Sequence, residues 1–184
     1  YLRKGFLNIK DSTIVSEKCW RMEGSRMFIQ EGKKVLIEDL MRGMIIQSGN
    51  DAACALAEHI AGTQEDFASL MNDYAQKMEL KNTNFTNPTG LPNVNHYSTA
   101  EDIAKLSIVL INDFPNEYSI YSEKEFTYND IRQLNRNSLL WQDDSIDGIK
   151  TGHTKSSGYC LVASSKRADM RLISIVLNSA SEKS

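Results

Sequence analysis

Three observations predict an α+β fold, a helical region followed by an antiparallel sheet. Apolar residues recur at helical spacing over the first two thirds of the chain, the period changes after Pro115, and turn residues separate the β-branched stretches that follow. At 184 residues and 41% hydrophobic content the chain is long enough to bury a core, and one domain over residues 1–184 is the expectation. Its net charge of -3 is spread along the sequence in both signs. No basic stripe is available for a phosphate backbone, which excludes nucleic acid as a partner. No apolar run approaches the roughly 20 residues needed to span a bilayer.

Taken in order, residues 35–47 place Leu36, Leu40, Met44 and Ile45 on one helical face, and Ser48-Gly49-Asn50 interrupts it. Asp51 is then expected to cap a second, alanine-rich helix that runs to about Ala61, with Gly62 as its stop. Thr63 and Asp66 resemble a capping box for a third helix, with Phe67, Leu70, Met71, Tyr74 and Met78 as its apolar stripe. Residues 81–97, rich in Asn, Thr, Pro and Gly, read as an irregular connection. Ser98 and Glu101 form a second capping box, and a fourth helix continues to Asp113. Beyond Pro115, Asn129-Asp130 joins two short strands as a hairpin, and residues 146–151, 159–164 and 170–177 read as three more.

The chemistry is carried by two short motifs, Ser48-Gly49-Asn50 between helices and Lys150-Thr151-Gly152 at a strand end, followed by His153-Thr154. Taken singly, Ser48 is a hydroxyl satisfying backbone groups at a helix end and Lys150 a solvated edge-strand lysine. Together, S-x-N about 100 residues before K-T-G is the arrangement of the penicillin-recognising acyl transferases. Cys19, Cys54 and Cys160 lack metal-ligand spacing; Cys54 and Cys160, among small and apolar residues, read as buried free thiols in preference to a disulfide, and the odd count leaves at least one cysteine unpaired. His59 and His96 read as surface histidines, and Trp20 and Trp141 as core. No metal and no cofactor are expected.

Five stretches carry a specific resemblance: Ser16-Glu17-Lys18-Cys19-Trp20, Gly24-Ser25-Arg26-Met27-Phe28, Gln47-Ser48-Gly49-Asn50-Asp51-Ala52-Ala53, Asn135-Arg136-Asn137 with Leu139-Leu140-Trp141, and Asp147-Gly148-Ile149-Lys150-Thr151-Gly152-His153-Thr154. From about Asn8 to Leu177 the chain resembles the low-molecular-mass penicillin-binding D-alanyl-D-alanine carboxypeptidases. The resemblance implies a serine β-lactamase/D,D-peptidase-like fold. It also implies an enzyme that removes the terminal D-alanine from peptidoglycan stem peptides and is acylated by β-lactam antibiotics. An extracytoplasmic location follows from it, with membrane attachment through a C-terminal anchor beyond Ser184.

The family's S-x-x-K tetrad, nucleophile and base one helical turn apart, occurs nowhere among the 184 residues. The resemblance places it upstream of Tyr1, so the chain is expected to be a partial catalytic domain without its nucleophile, and inactive alone. It further implies that Ser48 relays a proton to the leaving nitrogen and that Asn50 bonds the substrate amide. Lys150 would attract the substrate carboxylate and lower the pKa of the base lysine. Thr151 would donate a hydroxyl to that carboxylate, and Gly152 would leave room for substrate to lie along the strand. The His153 backbone N–H would complete an oxyanion hole, with Thr154 beside it. Two alternatives are weighed: a class A β-lactamase, opposed by Gly49 and by the lack of an E-x-x-L-N stretch, and a non-catalytic peptidoglycan-binding module.

Overall fold

The computed structural model describes Gly5 and residues 7–181, divided into two compact units. The first holds residues up to Met71 with Thr86–Thr89 and Glu125–Asn135; the second holds Asn72–Phe85, Gly90–Lys124 and Arg136 onward.

In the first unit, β1 (Ser12–Ile14) pairs antiparallel with β2 (Lys34–Leu36), and α1 (Glu17–Trp20) lies between them in sequence. Ser16 caps α1, its hydroxyl accepting from the Cys19 N–H at 3.2 Å. α2 (Ile37–Ile46) starts two residues later than its periodicity suggests, because residues 34–36 are claimed by the strand pair. Leu36, expected on the core face, sits at the N-cap and is 41% exposed. α3 (Asn50–Ala61) follows almost at once and is stopped by Gly62 at a φ of 84°, as its sequence predicts. β3 (Glu125–Tyr128) and β4 (Ile131–Leu134) form the expected hairpin. Asn129 and Asp130, at φ of 47° and 61°, both take the left-handed conformation that a tight hairpin requires. The core joins Val15, Met27, Ile29, Ile37, Leu40 and Leu56, with Phe126 and Tyr128 of the hairpin packed against it.

α4 (Gln64–Lys77) begins in the first unit and ends in the second. Thr63 caps it as predicted, accepting from the Asp66 N–H at 3.0 Å and donating to its carboxylate at 2.7 Å. α5 (Ala100–Asp113) is capped by Thr99, not by Ser98. The Ser98 hydroxyl instead meets that of Thr83 at 2.8 Å, and Glu101 pairs with Lys105. The buried Asp102 ties the preceding connection down by accepting from the Asn82 N–H at 2.7 Å and the Thr83 hydroxyl at 2.8 Å. A short α6 (Pro115–Tyr118) and a 3-10 turn at Ser119–Ser122 were not legible as elements, being one turn each.

The second unit ends in a three-stranded antiparallel sheet of order β5-β6-β7, with β5 (Ile146–Thr154), β6 (Gly158–Arg167) and β7 (Met170–Ser179). Each strand exceeds its predicted length, and β5 runs on through His153 and Thr154. The architecture is the expected α+β arrangement of helices and antiparallel sheets.

Candidate active site

Ser48 lies in the three-residue connection between α2 and α3, at a φ of 60°. A non-glycine residue in this conformation costs about 1–2 kcal/mol, so the surroundings must hold it. They do so through the backbone. The Gly49 N–H returns to the Gly43 carbonyl at 3.0 Å, and the Asn50 N–H donates to the Ser25 carbonyl at 2.7 Å. The Asn50 side chain donates to the Glu23 carbonyl at 2.7 Å, so its amide nitrogen is held by the protein. Asp51 is not the N-cap its position suggests, because Asn50 is already helical and Gly49 occupies the cap. Its buried carboxylate reaches across to residues 27–29.

Lys150, Thr151, Gly152, His153 and Thr154 fall on β5 in register with Val162, Leu161, Cys160, Tyr159 and Gly158. Alternation puts Lys150, Gly152 and Thr154 on one face and Thr151 with His153 on the other. β5 is an edge strand, and among the described residues no further strand pairs with its outer side. Burial pushes the Lys150 ammonium down to about 8, and the positive charge of Arg136 adds to this. Its Nζ donates to the Thr151 carbonyl at 3.1 Å. A Cβ added at Gly152 would meet nothing within 4 Å, so no packing among the described residues requires glycine there. The missing side chain keeps that face of the strand open. The His153 ring lies on Tyr159, centroids 4.1 Å apart, while its backbone stays in the strand.

The root of β5 is held by a polar network that residue patterns alone did not reveal. Arg171 pairs with Asp147 at 2.7 Å, and the Tyr118 hydroxyl donates to the same carboxylate at 2.8 Å. Burial alone would raise the Asp147 carboxyl, but the bonds from Arg171 and Tyr118 outweigh it and hold the group below its ordinary value. Burial also pushes the Tyr118 hydroxyl up to about 12, so it remains a donor. The Asn137 side chain adds a bond to the Gly148 carbonyl at 3.1 Å. Arg136 and Asn137 belong to a stretch that carries the resemblance, and this was the available signal.

The reading of Cys54 as a free thiol is corrected, and that of Cys160 holds. Cys19 and Cys54, both fully buried, form a disulfide between α1 and α3 with Cα atoms 5.3 Å apart, and Cys160 is the free, partly buried thiol. A separation of 35 residues in sequence hid a pair that only helix packing brings together. Trp20 and Trp141 are 40% and 48% exposed, not core. The Arg21 guanidinium lies over the exposed Trp20 ring, 5.8 Å from its centroid. His59 is exposed as expected, whereas His96 is partly buried edge-on to Phe85 at 5.8 Å.

This architecture is that of the penicillin-recognising D,D-peptidases. Over 99% of its length the chain superposes on penicillin-binding protein 5 from Haemophilus influenzae with a TM-score of 0.95 at 47% identity, covering 54% of that chain. It superposes on ampicillin-bound penicillin-binding protein D2 from Listeria monocytogenes with a TM-score of 0.88 at 28% identity, covering 99% of this chain and 74% of that one. Residues 2–181 match the family model described as D-alanyl-D-alanine carboxypeptidase. The carboxypeptidase DacA of Haemophilus influenzae is 48% identical over 96% of this chain and 46% of its own, and DacC of Escherichia coli is 47% identical over 99% and 47%. The chain therefore belongs to the D-alanyl-D-alanine carboxypeptidase family, and it spans about half the length of these relatives.

Proposed function

We propose that residues 1–184 are part of the catalytic domain of a serine-type D-alanyl-D-alanine carboxypeptidase that trims peptidoglycan pentapeptides and is acylated by β-lactams. The observation that carries this reading is the β5 segment. An ammonium drawn down to about 8 stands two residues from a glycine whose open face serves no packing among the described residues, on an edge strand able to accept an extended peptide. Relatives named as carboxypeptidases, and a neighbour solved with ampicillin bound, support the substrate and inhibitor classes.

In this reading a serine hydroxyl outside these 184 residues attacks the carbonyl carbon of the penultimate D-alanine, and the C–N bond to the last residue breaks. Ser48 relays the serine's proton to the departing nitrogen, so free D-alanine leaves and an ester remains for water to hydrolyse. Asn50, its Nδ2 committed to Glu23, offers its Oδ1 to a substrate N–H. At the open edge of β5, which both faces border, Lys150 attracts the terminal carboxylate, Thr151 donates a hydroxyl to it, and the His153 N–H contributes to the oxyanion hole with Thr154 beside it. The Cys19–Cys54 disulfide supports an oxidising, extracytoplasmic compartment. The full-length protein should release D-alanine from a pentapeptide and form a stoichiometric adduct with labelled penicillin. A full-length protein that does neither overturns the reading.

A further inference from the structure

The connection that carries Ser48 is clamped to residues 23–29, and one side chain accounts for most of the clamp. Asp51, 1% exposed, accepts four backbone N–H groups. Oδ1 takes those of Met27 and Ala52, each at 2.9 Å, and Oδ2 takes those of Phe28 at 3.0 Å and Ile29 at 3.3 Å. Phe28 has a φ of 68°, a conformation a bulky side chain seldom adopts. There it turns successive N–H groups toward a single point, making a concave anion receptor that Asp51 fills from within the chain. Phe28 and Ser48 both hold a positive φ, and Phe28 is bonded to the Asp51 carboxylate directly.

Close approach makes the clamp tight. A Cβ at Gly49 would lie 2.9 Å from Asp51 Oδ1 and 3.1 Å from the Met27 nitrogen. A Cβ at Gly43 would overlap the Met27 side chain at 2.2 Å. Met27 is fully buried, and its carbonyl accepts from Gln133 at 3.1 Å. The segment gripped by Asp51 is therefore itself fixed, and it closely follows Glu23 and Ser25, whose carbonyls hold Asn50.

We propose that Asp51 is the positioning residue of the S-x-N turn: seated in the N–H groups of residues 27–29, its carboxylate sets where the Asn50 side chain is presented. The inference rests on the assignment of Asn50 to acyl transfer. Asp51→Asn is nearly isosteric, but it sets an NH2 against two of the N–H groups now bonded to oxygen. The turn would shift by a fraction of an ångström without losing its residues.

The test uses the full-length protein, with penicillin acylation separated into the noncovalent binding constant and the first-order acylation rate, and thermal unfolding measured alongside. Asp51→Asn should lower the acylation rate at least about tenfold, with binding changed less than about threefold, the pattern of an interaction that matters in the transition state. In an Asn50→Ala background the same substitution should cost less than about twofold, because its effect passes through Asn50. If Asp51→Asn does not fold, Gly49→Ala crowds the same carboxylate at an unstrained φ of -63° and should reproduce the loss. An unchanged acylation rate in the folded variant, or an equal loss with and without Asn50, overturns the positioning role while leaving the carboxypeptidase reading intact. Failure of the parent protein itself to acylate overturns both.

Discussion

Replacing Lys150 separates charge from bulk, and its depressed pKa gives the experiment a magnitude. With a value of about 8, the ammonium outnumbers the amine about ten to one at pH 7 and is outnumbered by about the same ratio at pH 9. The folded-state value lies below that of an ordinary lysine, so the charge is present below pH 8 and is lost as pH rises through it. If catalysis needs that charge, acylation of the full-length protein should fall about tenfold from pH 7 to pH 9. Lys150→Ala should lower it by about a hundredfold at pH 7, or about 2.7 kcal/mol, the order expected when one electrostatic stabiliser is removed. Lys150→Arg keeps a charge that does not titrate in this range. It should abolish the alkaline limb near pH 8 while weakening binding, because a planar fork cannot place itself as a compact ammonium does. Stopped-flow acylation by a fluorescent penicillin, run on all three proteins across this range, reads both effects. A flat parent profile to pH 9 together with a Lys150→Ala rate within threefold of the parent refutes the reasoning and leaves Lys150 without a part in acylation.

Two further predictions follow from other parts of the chain. The Cys19–Cys54 disulfide closes a loop of 35 residues, worth about 3–4 kcal/mol on the chain-entropy model; reduction, or Cys19→Ser with Cys54→Ser, should lower the denaturant midpoint accordingly, and equal midpoints with and without reductant would contradict this. The 184-residue chain alone contains no S-x-x-K, so labelled penicillin should leave its mass unchanged; a stoichiometric adduct would force another serine, with another base, into the nucleophile's place.

Local pattern and tertiary packing contributed different things to this protein. The α+β class, the stop at Gly62, the Thr63 cap, the Asn129-Asp130 hairpin and the three final strands all follow from periods and turn chemistry within a few residues of one another. The S-x-N and K-T-G motifs were legible for the same reason, since each is contiguous and needs only its own strand or helix connection. What sequence could not decide depended on groups far apart along the chain. Asp51 looks like a helix cap until residues 27–29 are folded onto it. Cys19 and Cys54 look like separate thiols until α1 meets α3. Asp147, Arg171 and Tyr118 lie far apart in sequence until packing brings them together on one network. A buried carboxylate, a thiol pair and an ion pair each take their meaning from the partner that removes them from water, and that partner is chosen by packing, not by spacing.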